Sequence, residues 1–263
     1  MQVNRPRAKT VHIANSEEHL DDPEIEIQIA CANCALDKLC FPNALPVVFR
    51  TLFPLADEQR IRLGRGESLF CAGDSVSGIY AVKAGFLKTC MPLPDGQRKI
   101  VEFHAVGDPL GLDSLGRGIH TTDAIALNGC EVCVIPLGKF EKLLEHPTES
   151  VHVRRLLATA LSRIETHAAT LGMLSAKQRV ATFLLDMSGR WASRKYSKNE
   201  FVLFMSRMEI GNYLGLTFET VSRALAYFQA KKWIIVRGRN VLILDMPALQ
   251  AQLTRPNEEL ANH

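Results

Sequence analysis

Between residues 46 and 145, short apolar runs recur every 8–12 residues, split by Gly73-Asp74, Pro94-Asp95-Gly96 and Gly107-Asp108-Pro109. That spacing, with Gly, Pro and Asp at the breaks, predicts an antiparallel roll or barrel. From residue 146 the period lengthens. Leu157, Leu161, Ile164, Ala168 and Leu171 are separated by 4, 3, 4 and 3 residues. This is the seam of a helix that pairs with another helix, or packs on its own roll. Val180, Phe183, Leu184 and Met187 then share one face of a second amphipathic helix over 176–190.

A third pattern lies at 206–230. Ser206 and Glu209 have capping-box spacing, so a helix starts there, and Ile210 and Leu214 carry its apolar face. Gly215 permits a sharp turn, and Thr217 can cap the helix that follows. In that second helix Val221, Leu225 and Phe228 point one way, while Glu219, Ser222, Arg223 and Ala226 point the other. Short helix, glycine turn and second helix make a helix-turn-helix. Arg223 can pair with guanine O6 and N7, Glu219 can accept from the cytosine amine, and Ser222 can reach a base or a phosphate. Glu219 also suits a first helical turn without any ligand. Two β-rich runs then flank Arg237-Gly238-Arg239-Asn240. They predict a hairpin, a wing with Arg237 and Arg239 placed for phosphates. Residues 246–263 read as a short helix and a frayed tail.

Charge sharpens this division. The chain of 263 residues carries a formal net charge of +3, but residues 1–145 hold −4 and residues 146–263 hold +7. A basic C-terminal half fits a polyanion such as DNA. No apolar run approaches a membrane span, and residues 1–25, polar and aperiodic, lack a signal-peptide core and read as disordered. A reducing cytoplasm is the expected setting.

Three of seven cysteines, Cys31, Cys34 and Cys40, fall within ten residues as C-x2-C-x5-C. Clustered thiolates suit a soft metal centre, zinc or an iron–sulfur cluster, and either needs a fourth ligand from elsewhere. Cys71, Cys90, Cys130 and Cys133 are the remaining thiols, and spacing does not choose among them. Gly73-Asp74-Ser75 looks like a hydrolase nucleophile block, but no matching Asp-x-x-His block follows it, and a polar turn is the expected role. No base, nucleophile and oxyanion set converges, so the chain does not read as an enzyme.

These features resemble transcription regulators of the cyclic-AMP receptor/fumarate-and-nitrate-reduction (CRP/FNR) superfamily, and within it the oxygen-sensing FNR/Anr branch. The resemblance runs from about residue 28 to 252. It is carried by the cysteine triplet, by Val132-Cys133-Val134-Ile135-Pro136, by Glu209 to Thr217, and by Glu219-Thr220-Val221-Ser222-Arg223, which matches the E-x-x-S-R recognition signature. It implies an α+β fold. An N-terminal, cyclic-nucleotide-binding-like antiparallel β-roll of eight strands is expected within 26–145. A long dimerisation helix follows at 146–175 and a winged helix-turn-helix at 176–263.

It further implies a [4Fe–4S] cluster on Cys31, Cys34, Cys40 and Cys133, a homodimer, RNA polymerase as partner, and two-fold double-stranded DNA sites with TTGAT-like half-sites. Three positions depart from the pattern. Phe218 stands where the branch usually has Val. Ile164, beside Glu165, lies close to an acidic position of the branch. Ile119-His120-Thr121-Thr122-Asp123 replaces the Arg-Ser/Thr pair that clamps a cyclic phosphate. Asp123 would repel a phosphate, which argues against cyclic-nucleotide binding. A structural zinc and a small-molecule effector in the roll are the alternatives.

Overall fold

The computed structural model describes residues 60–254, apart from His146. The cysteine triplet, the tail at 1–25 and the residues after 254 lie outside the described residues. The chain divides into two compact units that part between Ala158 and Thr159.

The described part of the N-terminal unit contains eight strands: β1 (Arg60–Leu63), β2 (Ser68–Phe70), β3 (Gly78–Ala84), β4 (Leu87–Pro92), β5 (Arg98–His104), β6 (Pro109–Leu110), β7 (Asp123–Ala126) and β8 (Cys130–Pro136). They form two four-stranded sheets, ordered β1-β8-β3-β6 and β2-β7-β4-β5, with every pairing antiparallel. The expected roll is therefore present. Its turns form where the breaker residues fall. Gly96 takes φ +81° between β4 and β5, and Asp95 Oδ1 accepts from Gln97 N at 2.9 Å.

Strand alternation gives β8 two different faces. Cys130, Val132 and Val134 join the roll interior with Leu63, Phe70, Tyr80 and Leu87. Cys133 and Ile135 join a second cluster outside the roll with Ile79, Ala81, Phe140 and Val153. Phe140 belongs to helix α1 (Leu137–Glu145), which the strand-and-turn pattern of its region does not announce. Val153 belongs to α2 (Pro147–Met173), the long helix expected at 146–175. Leu157, Leu161 and Ile164 along it are 38%, 56% and 61% exposed, while Leu171 is half-buried.

The C-terminal unit runs from Thr159, within α2, through α3 (Ala176–Ser193), β9 (Glu200–Val202), α4 (Arg207–Leu214), α5 (Phe218–Ala230), β10 (Ile234–Arg237), β11 (Asn240–Ile243) and α6 (Met246–Ala251). A capping box of Ser175 and Gln178 starts α3. The core joins Val180, Phe183, Leu184 and Met187 of α3 to Ile210, Leu214, Val221, Leu225 and Phe228. The wing has three strands, not two. β9 pairs with β11, giving the order β10-β11-β9.

Candidate nucleic-acid interface and thiolate ligand

The helix-turn-helix is fixed by local chemistry. Ser206 Oγ accepts from Glu209 N at 3.2 Å, and Glu209 Oε2 accepts from Ser206 N at 2.7 Å, so α4 begins on a reciprocal cap. It ends on Gly215 at φ +65°. The turn then folds back so closely that a Cβ on Gly211 would stand 2.6 Å from the Leu216 carbonyl oxygen. A glycine inside a helix costs about 1 kcal/mol against alanine, so Gly211 in mid-helix was a legible sign of close backbone approach.

Thr217 caps α5, accepting from Thr220 N at 3.3 Å. Val221, Leu225 and Phe228 are buried, while Glu219, Arg223 and Ala226 are exposed and Ser222 is half-exposed. The predicted two faces are therefore real. Hydrogen bonds from its own backbone N–H and from the Thr217 hydroxyl, with Arg223 nearby, hold the Glu219 carboxyl below its usual range. It stands ionised, an acceptor only. Arg223 Nη2 donates to Thr220 Oγ1 at 3.1 Å, which steadies the guanidinium beside Glu219. Arg207, at the start of α4, reaches Ser222 Oγ at 3.4 Å and adds a cation to this face. Phe218 opens α5 and is 45% exposed. On the wing, Arg237 and Arg239 flank Gly238 at φ +61°, and both are exposed.

The described cysteines differ in their surroundings, and the two on β8 lie on different faces. Cys130 lies inside the roll, its thiol donating to the Phe86 carbonyl at 3.1 Å. Burial pushes that thiol's pKa up. Cys71 is also raised, by burial and by the charges of Asp123 and Asp74. Cys133 sits on the outer face of β8, 8% exposed, directly across the strand pair from Arg60. Its thiol is a soft donor, and strand alternation keeps it off the face that fills the roll. Cys31, Cys34 and Cys40 lie outside the described residues. Among the described residues alone no His, Cys, Asp or Glu group could hold a metal.

The departures in the roll have clear partners. Asp123 is buried, accepts from Ala72 N at 2.9 Å and pairs with Arg98 Nε at 3.0 Å. His120 is buried and stacks on Phe70 with ring centroids 3.7 Å apart. Its Nδ1 lies 3.9 Å from Asp113 Oδ1. Asp113 Oδ2 accepts from Thr121 N and Oγ1, both at 2.8 Å.

Family comparisons agree with both halves. Residues 60–146 match the cyclic nucleotide-binding domain, and residues 178–252 match the Crp-like helix-turn-helix domain. The transcriptional regulatory protein btr of Bordetella pertussis is 38% identical over 84% of this chain and 91% of its own length. The fumarate and nitrate reduction regulatory protein of Escherichia coli is 34% identical over 89% and 93%. Among solved structures, FixK2 from Bradyrhizobium japonicum superposes with a TM-score of 0.69 at 30% identity, covering 75% of this chain and 98% of that one. With a roll, a helix-turn-helix and relatives that are regulators along most of its length, the chain belongs to the CRP/FNR family and is a DNA-binding transcription regulator.

Proposed function

We propose that the protein is an FNR/Anr-type regulator that binds two-fold DNA sites as a homodimer under the control of oxygen. The observation that carries the DNA half is the exposed face of α5, where Glu219, Ser222 and Arg223 stand clear of the core that holds them. Arg223 reads guanine, Glu219 accepts from the paired cytosine, and Ser222 reaches an adjacent base or phosphate. Thr217, Arg237 and Arg239 contact phosphates. TTGAT-like half-sites follow from the resemblance at Glu219, Ser222 and Arg223. Leu157, Leu161, Ile164, Ala168 and Leu171 pair with their copies. Three of these are large apolar side chains more than a third exposed in the single chain, and a partner helix would cover them. RNA polymerase is the machine on which such a regulator acts.

Cys31, Cys34, Cys40 and Cys133 would hold a [4Fe–4S] cluster. Bound there, it supplies an oxygen-sensitive link between the N-terminal segment and strand β8. Cys133 contributes a donor on the outer face of β8, packed with Phe140 of α1 and Val153 of α2. A change at this thiolate is felt by the start of the helix that carries the seam. Cyclic nucleotide is not the effector in this reading, because buried Asp123, paired with half-exposed Arg98, sets a carboxylate in the stretch that replaces the phosphate clamp, and a carboxylate repels a phosphate.

Iron, acid-labile sulfide and zinc in protein purified without oxygen test the sensing half, with the visible spectrum followed as air is admitted. About four iron and four sulfide per chain, as a cubane on four cysteines requires, with colour that bleaches, is the expected result. Zinc, or no metal with a ligand-dependent change in DNA affinity, would overturn it. Cys133→Ala should abolish cluster-dependent DNA binding, while Cys130→Ala, on the other face of the same strand, should leave iron and DNA binding in place.

A further inference from the structure

The last turns of α2 belong to the C-terminal unit, and three contacts fasten them to the helix-turn-helix. His167 of α2 stacks on Tyr213 of α4, with ring centroids 4.0 Å apart and planes 10° from parallel. Phe183 of α3 meets the same Tyr213 edge-on at 6.2 Å. One turn beyond His167, the Leu171 side chain lies against the turn glycine, its Cδ2 3.7 Å from where Gly215 would carry a Cβ. Arg179 of α3 closes the set. Its Nε donates to the Leu174 carbonyl at 2.8 Å, just past the end of α2. Its Nη1 donates to the Leu214 carbonyl at 3.1 Å, the last residue of α4.

Each helix end leaves carbonyls without an intrahelical partner, and one rigid guanidinium here serves two of them. A planar fork fixed at two points transmits orientation as well as position. Leu171 also belongs to the seam, so the same turn of α2 faces a partner helix and the helix-turn-helix. We infer that Arg179, with the His167–Tyr213 stack, is a positioning element that sets the angle of α5 relative to α2, and so the separation at which a dimer presents its two recognition helices. Neither residue touches DNA. This inference rests on the two-fold reading above, since a single recognition helix has no separation to set.

The test uses the full chain purified without oxygen and three duplexes. One carries two TTGAT-like half-sites at their natural spacing, one has a single base pair inserted between them, and one carries a lone half-site. Wild-type protein should prefer the natural spacing. Arg179→Gln and His167→Ser should each reduce that preference roughly tenfold, within the usual range of coupling between sites. Affinity for the lone half-site should not change. His167→Phe, which keeps the ring stack, should restore the preference. Trp191 and Trp233 are the chain's two tryptophans and both lie in the C-terminal unit, so their fluorescence reports whether that unit still folds. If Arg179→Gln does not fold, the His167 pair carries the test. Wild-type spacing preference in folded His167→Ser would overturn the inference. So would equal loss on all three duplexes, which marks a merely structural role. A wild-type protein indifferent to spacing would overturn the two-fold reading, and this inference with it.

Discussion

The two units use charge in opposite directions. In the roll, the carboxylates are tied into the fold: buried Asp123 by Arg98 and the Ala72 amide, and Asp113, nearer the surface, by Thr121 and Thr122. In the C-terminal unit the side chains that carry the proposed function, Glu219, Arg223, Arg237 and Arg239, stand in solvent, and the core beneath them is apolar. A charge facing inward holds a fold together, because leaving it unpaired costs its desolvation. A charge facing outward adds little to stability but is free to meet a polyanion. The same kind of substitution should therefore damage different properties in the two units.

The largest effect is expected where a buried charge loses its partner. Arg98→Ala leaves Asp123 unpaired and should destabilise the roll by roughly 1–3 kcal/mol. Limited proteolysis of the N-terminal unit would read this, while tryptophan fluorescence of the C-terminal unit stays at its wild-type transition. Acid should reproduce part of it. Burial alone would raise the Asp113 carboxyl, but the nearby His120 ring and hydrogen bonds from Thr121 outweigh it and bring the pKa well below its ordinary range. A depressed carboxylate contributes stability that is fully present above its unfolded pKa and is lost as pH falls toward the folded value. The roll should therefore weaken below about pH 4, the ordinary aspartate range. Asp113→Asn should flatten that dependence. An unchanged acid profile in this variant would break the comparison on the roll's side.

How much of this could be read from sequence depends on range. The helix-turn-helix was legible because its determinants are local: the Ser206–Glu209 box, the Gly215 turn and the Thr217 cap each act within a few residues. The wing reads as a hairpin, since Gly238 and its flanking β-rich runs are adjacent. Its third strand leaves no sequence signal, because Glu200–Val202 is too short to show alternation and pairs with β11, some forty residues on. Helix α1 follows directly on an apolar strand, so its own period is hidden. Alternation along β8 separates Cys130 from Cys133, three positions apart, onto opposite faces. Which face is interior depends on β1 and β3, far away in the chain. Arg179 gives no local sign of its bridge, because the Leu214 carbonyl it serves lies 35 residues on and is brought to it by tertiary packing.

The outward charges should divide among themselves. Arg223→Ala should leave the thermal transition of the C-terminal unit in place and cost about 1–3 kcal/mol of discrimination at one base pair. Binding to sequences altered at that position would then match binding to the intact site.

Arg237→Ala and Arg239→Ala should produce the smallest change at any one site and the most general one. Each removes a cation from the wing tip without touching the core, since the hairpin is held by the pairing of Arg237 with Asn240 and by the Leu203 amide donating to the Arg239 carbonyl, which are backbone contacts. Such a loss weakens all sequences alike and lowers the slope of log affinity against log salt by about one. Arg223→Ala should change sequence preference by far more than it changes salt slope. If a wing variant changed sequence preference instead, its arginine would be reading bases, and the division between positioning at the wing and reading at α5 would have to be redrawn.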